Sequence, residues 1–250
     1  MESPGQRHAL APASARTGRF VLWAAVVTAL AAALALGIGV LTPPHGGVLC
    51  TSDCVLPPYT DVAGIIVAES IWIYPALAMV LGFVALSAAL YEVTPAHRRP
   101  AALAGMAFAV LSAGILVADY GVHLMAVMPS VARGEGSAVA LFSMYNPHGL
   151  FIALENAGYF LMGLAFLGIG DAAGGERRLA RAIRWTFLGA GVLLVAALPL
   201  FGIAFGSDLD VRYEVFAISV AYLGLILGGT MLATMGLRRG APPIPTPAAG

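Results

Sequence analysis

Charged side chains are scarce in this sequence. Only 10% of its 250 residues are Asp, Glu, Lys or Arg, whereas 60% are hydrophobic. Water-soluble domains carry about 25% charged and about 45–50% apolar residues, so a soluble protein of this composition could not cover its surface with polar groups. The formal net charge is zero, without the basic excess that is typical of nucleic-acid-binding proteins. The composition therefore indicates an integral membrane protein, and no nucleic-acid partner is expected.

Lysine is absent altogether, since all 13 basic residues are arginine. This excludes chemistry that depends on a lysine amine, such as a Schiff base to retinal. The Walker A, GxSxG and HExxH motifs and the dinucleotide-binding fingerprint are missing as well. Familiar catalytic motifs therefore assign no activity to this chain.

Six long hydrophobic runs are present. Each has the ~20 residues that a helix needs to cross ~30 Å of hydrocarbon, and unbroken apolar runs exclude β-barrel strands, in which polar residues alternate with apolar ones. The sequence therefore predicts an all-α domain of six transmembrane helices at 19–238. Disordered tails are expected at 1–18, which is basic, and at 239–250, which is Pro-rich. The predicted spans are 20–41, 62–91, 101–128, 149–170, 185–205 and 213–237.

The arginines are divided unequally between the two sides of the predicted bundle. Eleven lie before the first span, in alternate loops or after the last span, whereas the other side holds only Arg133 and Arg212. The positive-inside rule then places both termini in the cytoplasm and the loops 43–60, 129–147 and 206–212 outside the cell membrane. Nine of the 13 acidic residues fall in the outer half, which would attract cations or basic ligands.

The two cysteines, Cys50 and Cys54, lie in the first predicted outer loop. An oxidising exterior favours a disulfide between them. A pair at this spacing could alternatively take part in thiol exchange, but the sequence has no second redox pair to pass electrons on. A structural disulfide is therefore the preferred interpretation.

Ionisable residues inside the predicted spans are the main functional candidates, because placing a charge in hydrocarbon is costly. Asp119 and His123 are four residues apart and so share one helix face, while Glu155 lies two turns after His148. All the candidates fall in the outer half of the spans. The predicted ligand- or ion-binding residues are Glu69, Asp119, His123, His148, Glu155, Asn156 and Glu214.

Three functions are compatible with these residues. The first is the handling of a cation, a proton or a small ligand, with Glu155 as the deepest proton acceptor. The second is a membrane enzyme acting on a lipid near the outer leaflet through a His–carboxylate acid–base pair or a divalent metal. The third is a structural or sensory subunit whose polar groups only hold helices together, with membrane lipid, a membrane partner or a second copy beside it. The predicted metal ligands are Asp119, His123, His148 and Glu155.

Asparagine and proline positions predict where helices begin or bend. Asn146, followed by a proline, is expected to cap the fourth span, which would place His148 in its first turn. Pro75 and Pro199 fall inside the second and fifth spans, where each removes a backbone hydrogen bond. Pro75 is expected to leave the carbonyl of Ile71 free.

The segment at 145–163, YNPHGLFIALENAGYFLMG, resembles segments of bacterial multi-pass membrane proteins. The expected location is a bacterial plasma (inner) membrane. The resemblance carries no activity with it.

Overall fold

The computed structural model describes residues 15–42, 44–135, 139–173 and 178–240. These residues are mainly helical and contain no strand, and they form six helical segments long and apolar enough to cross a membrane. The predicted all-α class and the six spans are therefore confirmed. The helices are α1 (Ala15–Leu41), α2 (Ile66–Glu69), α3 (Ile73–Val93), α4 (Arg99–Val122), α5 (Met128–Ala132), α6 (Leu150–Ala172), α7 (Arg178–Phe205) and α8 (Leu209–Gly240).

Several helix ends differ from the predicted spans. Helix α1 begins at Ala15 and α8 extends to Gly240, so the inner parts of both predicted tails are helical. Residues 1–14 and 241–250, the remainder of the two tails, lie outside the described residues. Helix α7 begins at Arg178, earlier than predicted, because arginine is a good helix former whose long side chain can reach water from a membrane-embedded helix.

The six spans form a closed ring. Each span packs against the next one in the chain, and α8 closes the ring by packing against α1. Helix α6 also contacts α3 and α8 in addition to its sequence neighbours α4 and α7, so it lies towards the centre of the bundle. This arrangement is typical of helix bundles with short connections, in which consecutive helices are antiparallel neighbours.

The two ends of the bundle are named here by their residues. The disulfide end carries the loop of Cys50 and Cys54, the segment before α6 and the turn at Gly206–Asp208. The arginine end carries the turn at Ala96–Arg98 and the connection between α6 and α7. There, Asp171 accepts hydrogen bonds from Arg98 at its backbone carbonyl (3.1 Å) and from Arg184 at its carboxylate (3.2 Å).

The backbones of helices α4 and α6 approach each other closely at Gly105 and Gly168. A Cβ atom on Gly168 would lie 2.6 Å from the carbonyl oxygen of Ala101 and 2.7 Å from the Cα of Gly105. Lipid tails are as apolar as leucine, so helices in a bilayer associate largely through such close packing of small residues. These glycines hold α4 against α6, and with it the polar side chains that both helices carry.

The second and third spans each contain an irregular segment. The second span is interrupted between Glu69, where α2 ends, and Ile73, where α3 begins. Pro75 lies in the first turn of α3, where its missing N–H costs little. The prediction of a free carbonyl at Ile71 is wrong, because that carbonyl accepts a 3.3 Å hydrogen bond from the N–H of Tyr74. In the third span, His123–Val127 form a π-helical turn between α4 and α5.

The prediction that Asn146 caps α6 is also wrong, although the helix begins within one residue of the predicted span. The helix begins at Leu150, with Gly149 in the capping position, and not directly after Asn146. The Asn146 side chain instead accepts a 3.1 Å hydrogen bond from the backbone N–H of His148, two residues on. Asparagine commonly closes a local turn in this way, and the turn here competes with the helix for the same backbone. His148 is therefore an exposed turn residue ahead of α6.

Replacement of Gly168 by alanine should destabilise the bundle. The new methyl group cannot fit without moving α4 away from α6, since its nearest neighbours are backbone atoms. We expect a cost of about 1–3 kcal/mol, as for other overpacked sites, measured as a lower melting temperature of the purified protein in detergent.

Gly189 in α7 is the matched control, because a Cβ there would meet nothing within 4 Å. Alanine is a better helix former than glycine, so Gly189→Ala should leave stability unchanged or raise it slightly. Equal losses in the two variants would show that the α4–α6 approach does not limit stability.

Candidate functional site

A cavity of about 380 Å³ lies at the disulfide end, between α1, α8, the start of α6 and the interruption of the second span. Helices α1 and α8 touch towards the arginine end, where a Cβ on Gly229 would lie 3.0 Å from the carbonyl oxygen of Ala25. Further along, both helices line the cavity, from Ala35 to Val40 on α1 and from Val211 to Tyr222 on α8. The polar side chains that line it are those of Thr42, His45, Glu69, Tyr145, Glu214, Ser219 and Tyr222.

Glu69 is held on one wall of the cavity by two side chains from different loops. Its Oε1 lies 2.9 Å from Nδ1 of His45, a contact that becomes a hydrogen bond when Nδ1 carries a proton. Its Oε2 accepts a 2.9 Å hydrogen bond from the hydroxyl of Tyr145. Burial and this hydrogen bond raise the pKa of Tyr145 well above its ordinary value, so the phenol stays neutral and remains a donor.

The loop that delivers His45 is fastened at several points. Cys50 and Cys54 form the predicted disulfide, with Cα atoms 5.8 Å apart, and the carbonyl of His45 accepts a 2.8 Å hydrogen bond from the N–H of Val55. Gly46 lies directly against the backbone of Tyr145, where a side chain would collide with the carbonyl oxygen. The loop and the segment before α6 thus reach Glu69 together.

Glu155 lies in the centre of the bundle and is completely buried. Its Oε1 accepts a 2.6 Å hydrogen bond from the hydroxyl of Tyr120 on α4, whereas its Oε2 has no N–H or O–H donor within the part of the chain that the structure describes. A second neighbour within hydrogen-bonding reach of this carboxyl is the carboxyl of Glu214, which lines the cavity. Two carboxylates have no hydrogen to share, so the contact is a hydrogen bond only when one of the two groups is protonated.

Three buried tyrosines continue from Glu155 back to the cavity. The hydroxyl oxygens of Tyr120 and Tyr159 lie 2.9 Å apart, and those of Tyr159 and Tyr222 lie 3.0 Å apart. Tyr222 lines the cavity, as Glu214 does. Glu214, Glu155, Tyr120, Tyr159 and Tyr222 therefore form one continuous row of side chains, here called the hydrogen-bonded loop. Both of its ends, Glu214 and Tyr222, line the same cavity.

His123 and Asp119 share a buried face of the third span, as their spacing predicts. Nε2 of His123 lies 2.8 Å from the hydroxyl oxygen of Ser70, in the interruption of the second span. The Ser70 hydroxyl already donates to the carbonyl of Ile66 at 2.6 Å, so it accepts from His123 and the imidazole carries its hydrogen on Nε2. The two irregular segments of the bundle are thus joined to each other.

Asp119 lies one turn before His123 and is only 3% exposed. Its Oδ2 has no hydrogen-bond partner among the described residues, and a charge on Glu155 disfavours a second charge on Asp119 across the α4–α6 contact. Two carboxyl oxygens in the polar centre of the bundle, Oδ2 of Asp119 and Oε2 of Glu155, therefore lack a hydrogen-bond donor among the described residues.

The predicted residues separate into groups. Glu155 and Glu214 come together, Asp119 lies within electrostatic reach of Glu155, and Glu69 lines the same cavity as Glu214. Asn156 is half-buried on α6, and His148 is exposed ahead of that helix. The four predicted metal ligands do not assemble, since no three His, Cys, Asp or Glu side chains among the described residues form a metal-binding group.

Several residues of the site were not among the sequence candidates. His45 and Tyr145 belong to loops, where no periodicity reports which side chains approach the bundle. The tyrosines carry a weak signal: Tyr159 lies four residues after Glu155 and Tyr222 eight after Glu214, so each shares a face with a candidate carboxylate. Tyrosine in a span is common enough that this spacing alone would not have singled them out.

The chain matches no family model, and comparison with curated proteins and with solved structures finds no similar protein. What can be inferred about function therefore rests on the geometry of the cavity and its hydrogen-bonded loop.

Removing the hydroxyl of Tyr145 should destabilise the disulfide end. Tyr145→Phe deletes the donor to Oε2 of Glu69 and leaves a half-buried carboxylate short of one hydrogen bond. A lost hydrogen bond to a charged group costs about 1.5–3 kcal/mol, so we expect a clearly lower melting temperature in detergent.

Tyr74→Phe is the control, because Tyr74 is 61% exposed on α3 and lies away from Glu69 in the described contacts. Its melting temperature should match that of the unmodified protein. A Tyr145→Phe protein as stable as the Tyr74→Phe protein would show that the tyrosine does not hold Glu69.

Proposed function

We propose that this protein binds a small organic ligand with a cationic group in the cavity at the disulfide end. The observation that carries this proposal is a 380 Å³ cavity with carboxylates on two of its walls, Glu69 and Glu214. Ligand sites in proteins have volumes of about 300–1,000 Å³ and combine mostly apolar walls with a few polar groups. A proton or a bare metal ion would need no space of this size.

The charge of the cavity favours a cation. The described residues that line it include the two glutamates and no arginine, and the sequence contains no lysine. Glu69 is already oriented by His45 and Tyr145, so it does not have to be ordered when a ligand arrives. Preorganised carboxylates in a partly desolvated site bind an ammonium group more strongly than the same groups in water.

The remaining walls favour an apolar body on the ligand. Trp72, Phe151 and Ile218 line the cavity together with aliphatic residues of α1 and α8. Val40 and Val215 are cavity-lining residues that are also exposed at the bundle surface, where they are 75% and 45% accessible. The gap between α1 and α8 thus faces the hydrocarbon of the membrane, which suits a ligand that partitions into lipid.

The cavity is proposed to face the outside of a bacterial plasma membrane. The arginine-rich loops and both termini would then lie in the cytoplasm, as the positive-inside rule requires. The disulfide supports this orientation, because such bonds persist in an oxidising exterior and not in the cytosol.

Ligand binding can be followed through the fluorescence of Trp72. The protein has three tryptophans, of which Trp23 and Trp185 are 65% and 67% exposed on the bundle surface, away from the cavity. In a Trp23→Phe/Trp185→Phe protein, 4-phenylbutylamine should change the Trp72 emission saturably. Its neutral counterpart, 4-phenylbutan-1-ol, should bind about tenfold more weakly or worse, because a hydrogen bond to a charged group contributes about 1.5–3 kcal/mol.

Glu214→Gln should remove most of the preference for the amine, whereas Glu92→Gln, at the exposed end of α3, should leave it intact. Equal affinities for the amine and the alcohol, or no saturable change with either probe, would contradict the proposed function.

A further inference from the structure

We propose that cation binding in the cavity is coupled to release of one proton, which Glu155 and Glu214 share and which the tyrosines Tyr120, Tyr159 and Tyr222 conduct. This inference rests on the proposed function and adds an exchange reaction to it. The observation behind it is the hydrogen-bonded loop, in which Glu155, whose Oε2 has no donor among the described residues, meets a carboxyl of the cavity wall.

The position of the shared proton follows from the hydrogen-bond inventory. Oε2 of Glu155 is fully buried and has no donor among the described residues, and an unsatisfied buried charge is costly. A proton placed between Glu155 and Glu214 supplies the missing donor, and it leaves the pair with one negative charge in place of two. Two carboxyl groups within hydrogen-bonding reach of each other commonly hold one proton between them.

A ligand cation at Glu214 replaces that proton. The ammonium group supplies a positive charge and N–H donors to Glu214, so the pair can hold two negative charges once the cation is bound. The exchange is balanced: one protonated amine enters, one proton leaves, and the total charge of the site is unchanged. Ligand and proton thus compete for the same pair of carboxyl groups.

The tyrosines provide the path for the proton. In the structure Tyr120 donates to Oε1, so two rotations come first: the Glu155 carboxyl turns the shared proton towards Tyr120, and the Tyr120 hydroxyl turns towards Tyr159. Glu155 can then pass the proton to the Tyr120 oxygen while Tyr120 passes its own hydrogen to Tyr159, Tyr159 to Tyr222 and Tyr222 to the cavity. Every tyrosine accepts one hydrogen and gives up one, so each stays neutral. After the transfer the hydroxyl hydrogens of the three tyrosines point towards Glu155, and Tyr120 donates to its carboxylate. A proton that returns from the cavity reverses the direction of these hydrogen bonds.

Other titratable groups face Glu155 from the helices packed around it. These are Asp119 and Tyr120 on α4, Tyr159 on α6 itself, and Glu214 and Tyr222 on α8. Asp119 is the one carboxyl among them outside the hydrogen-bonded loop, and its charge would repel a charge on Glu155. It is therefore the alternative holder of the exchanged proton, and the experiment has to separate the two.

The test measures protons released when 4-phenylbutylamine binds to the detergent-solubilised protein in weak buffer with a pH-indicator dye. An alkylamine like that of lysine has a pKa of about 10.4, so the probe stays protonated between about pH 5 and pH 9. We expect about one proton released per amine bound, and an affinity that rises by up to about tenfold per pH unit. Glu155→Gln should still bind the amine but release close to no proton, whereas Glu92→Gln should behave like the unmodified protein.

Two outcomes would overturn the coupling while leaving the proposed function intact. One is amine binding without proton release in the unmodified protein. The other is proton release that survives Glu155→Gln and disappears in Asp119→Asn. Absence of amine binding would instead contradict the proposed function itself.

The role of the tyrosines is tested by rate. Tyr159→Phe interrupts the row but keeps both carboxyl groups, so the number of protons released should be unchanged. Their release, followed by stopped-flow mixing, should be at least about tenfold slower than in the Tyr74→Phe control. Equal release rates in the two variants would show that the proton leaves directly from Glu214 and not through the tyrosines.

If Glu155→Gln does not fold, Tyr120→Phe keeps the coupling testable. This variant removes the hydrogen bond that favours the charged form of Glu155. The pair should then hold its proton more tightly, so the affinity for the amine should reach its plateau at higher pH. An unshifted pH profile in Tyr120→Phe would contradict the shared proton.

Discussion

Hydrocarbon offers no water to the backbone, and this constraint governs the whole bundle. Every N–H and C=O within a span must find a partner inside the protein. Regular helices meet this requirement unaided, but the second span is interrupted after Glu69 and the third changes to a π-helical turn at His123. Ser70 satisfies the carbonyl of Ile66 and accepts a hydrogen bond from His123, so the two irregular segments support each other. Such π-helical turns occur often at functional sites.

The same interruption shapes the cavity. Because the second span is interrupted at 70–72, Glu69 and Trp72 both line the cavity from the short segment where the chain turns. His45 and Tyr145 arrive from two loops and orient Glu69, while α1 and α8 leave the gap between them. The site is thus a product of irregular segments and not of any one helix.

Carboxyl groups are buried deeper in the bundle, where their charges are costly. Asp119, Glu155 and Glu214 bring three carboxyl groups into or beside the polar centre, and tyrosine hydroxyls are the principal donors there. Apolar side chains at these positions would give a more stable fold, because a buried charge is destabilising unless it is completely hydrogen-bonded. In the proposed exchange, Oε2 of Glu155, which has no donor in the described part of the chain, gains and loses the shared proton.

Sequence reasoning predicted the buried carboxylates but not their partners. Asp119, His123 and Glu155 are polar residues inside apolar runs, and helical spacing assigned Asp119 and His123 to one face, which is buried as predicted. The Asn146 side chain closes a local turn and does not cap α6. His148 therefore lies exposed ahead of the helix and not in its first turn, where it was predicted. His45 and Tyr145 could not be predicted because loops have no period that relates one residue to another.

By itself the sequence determined the membrane environment, the all-α class and the six spans, because hydrocarbon thickness sets the length of each apolar run and helices are periodic along the chain. Only the tertiary structure decided that the ring closes between α1 and α8, that a cavity opens there, and that Glu155 meets Glu214 and three tyrosines. These are contacts between helices far apart in the chain. They depend on how each helix is rotated against its neighbours, for example by the approach of Gly105 and Gly168, and local periodicity carries no information about that rotation.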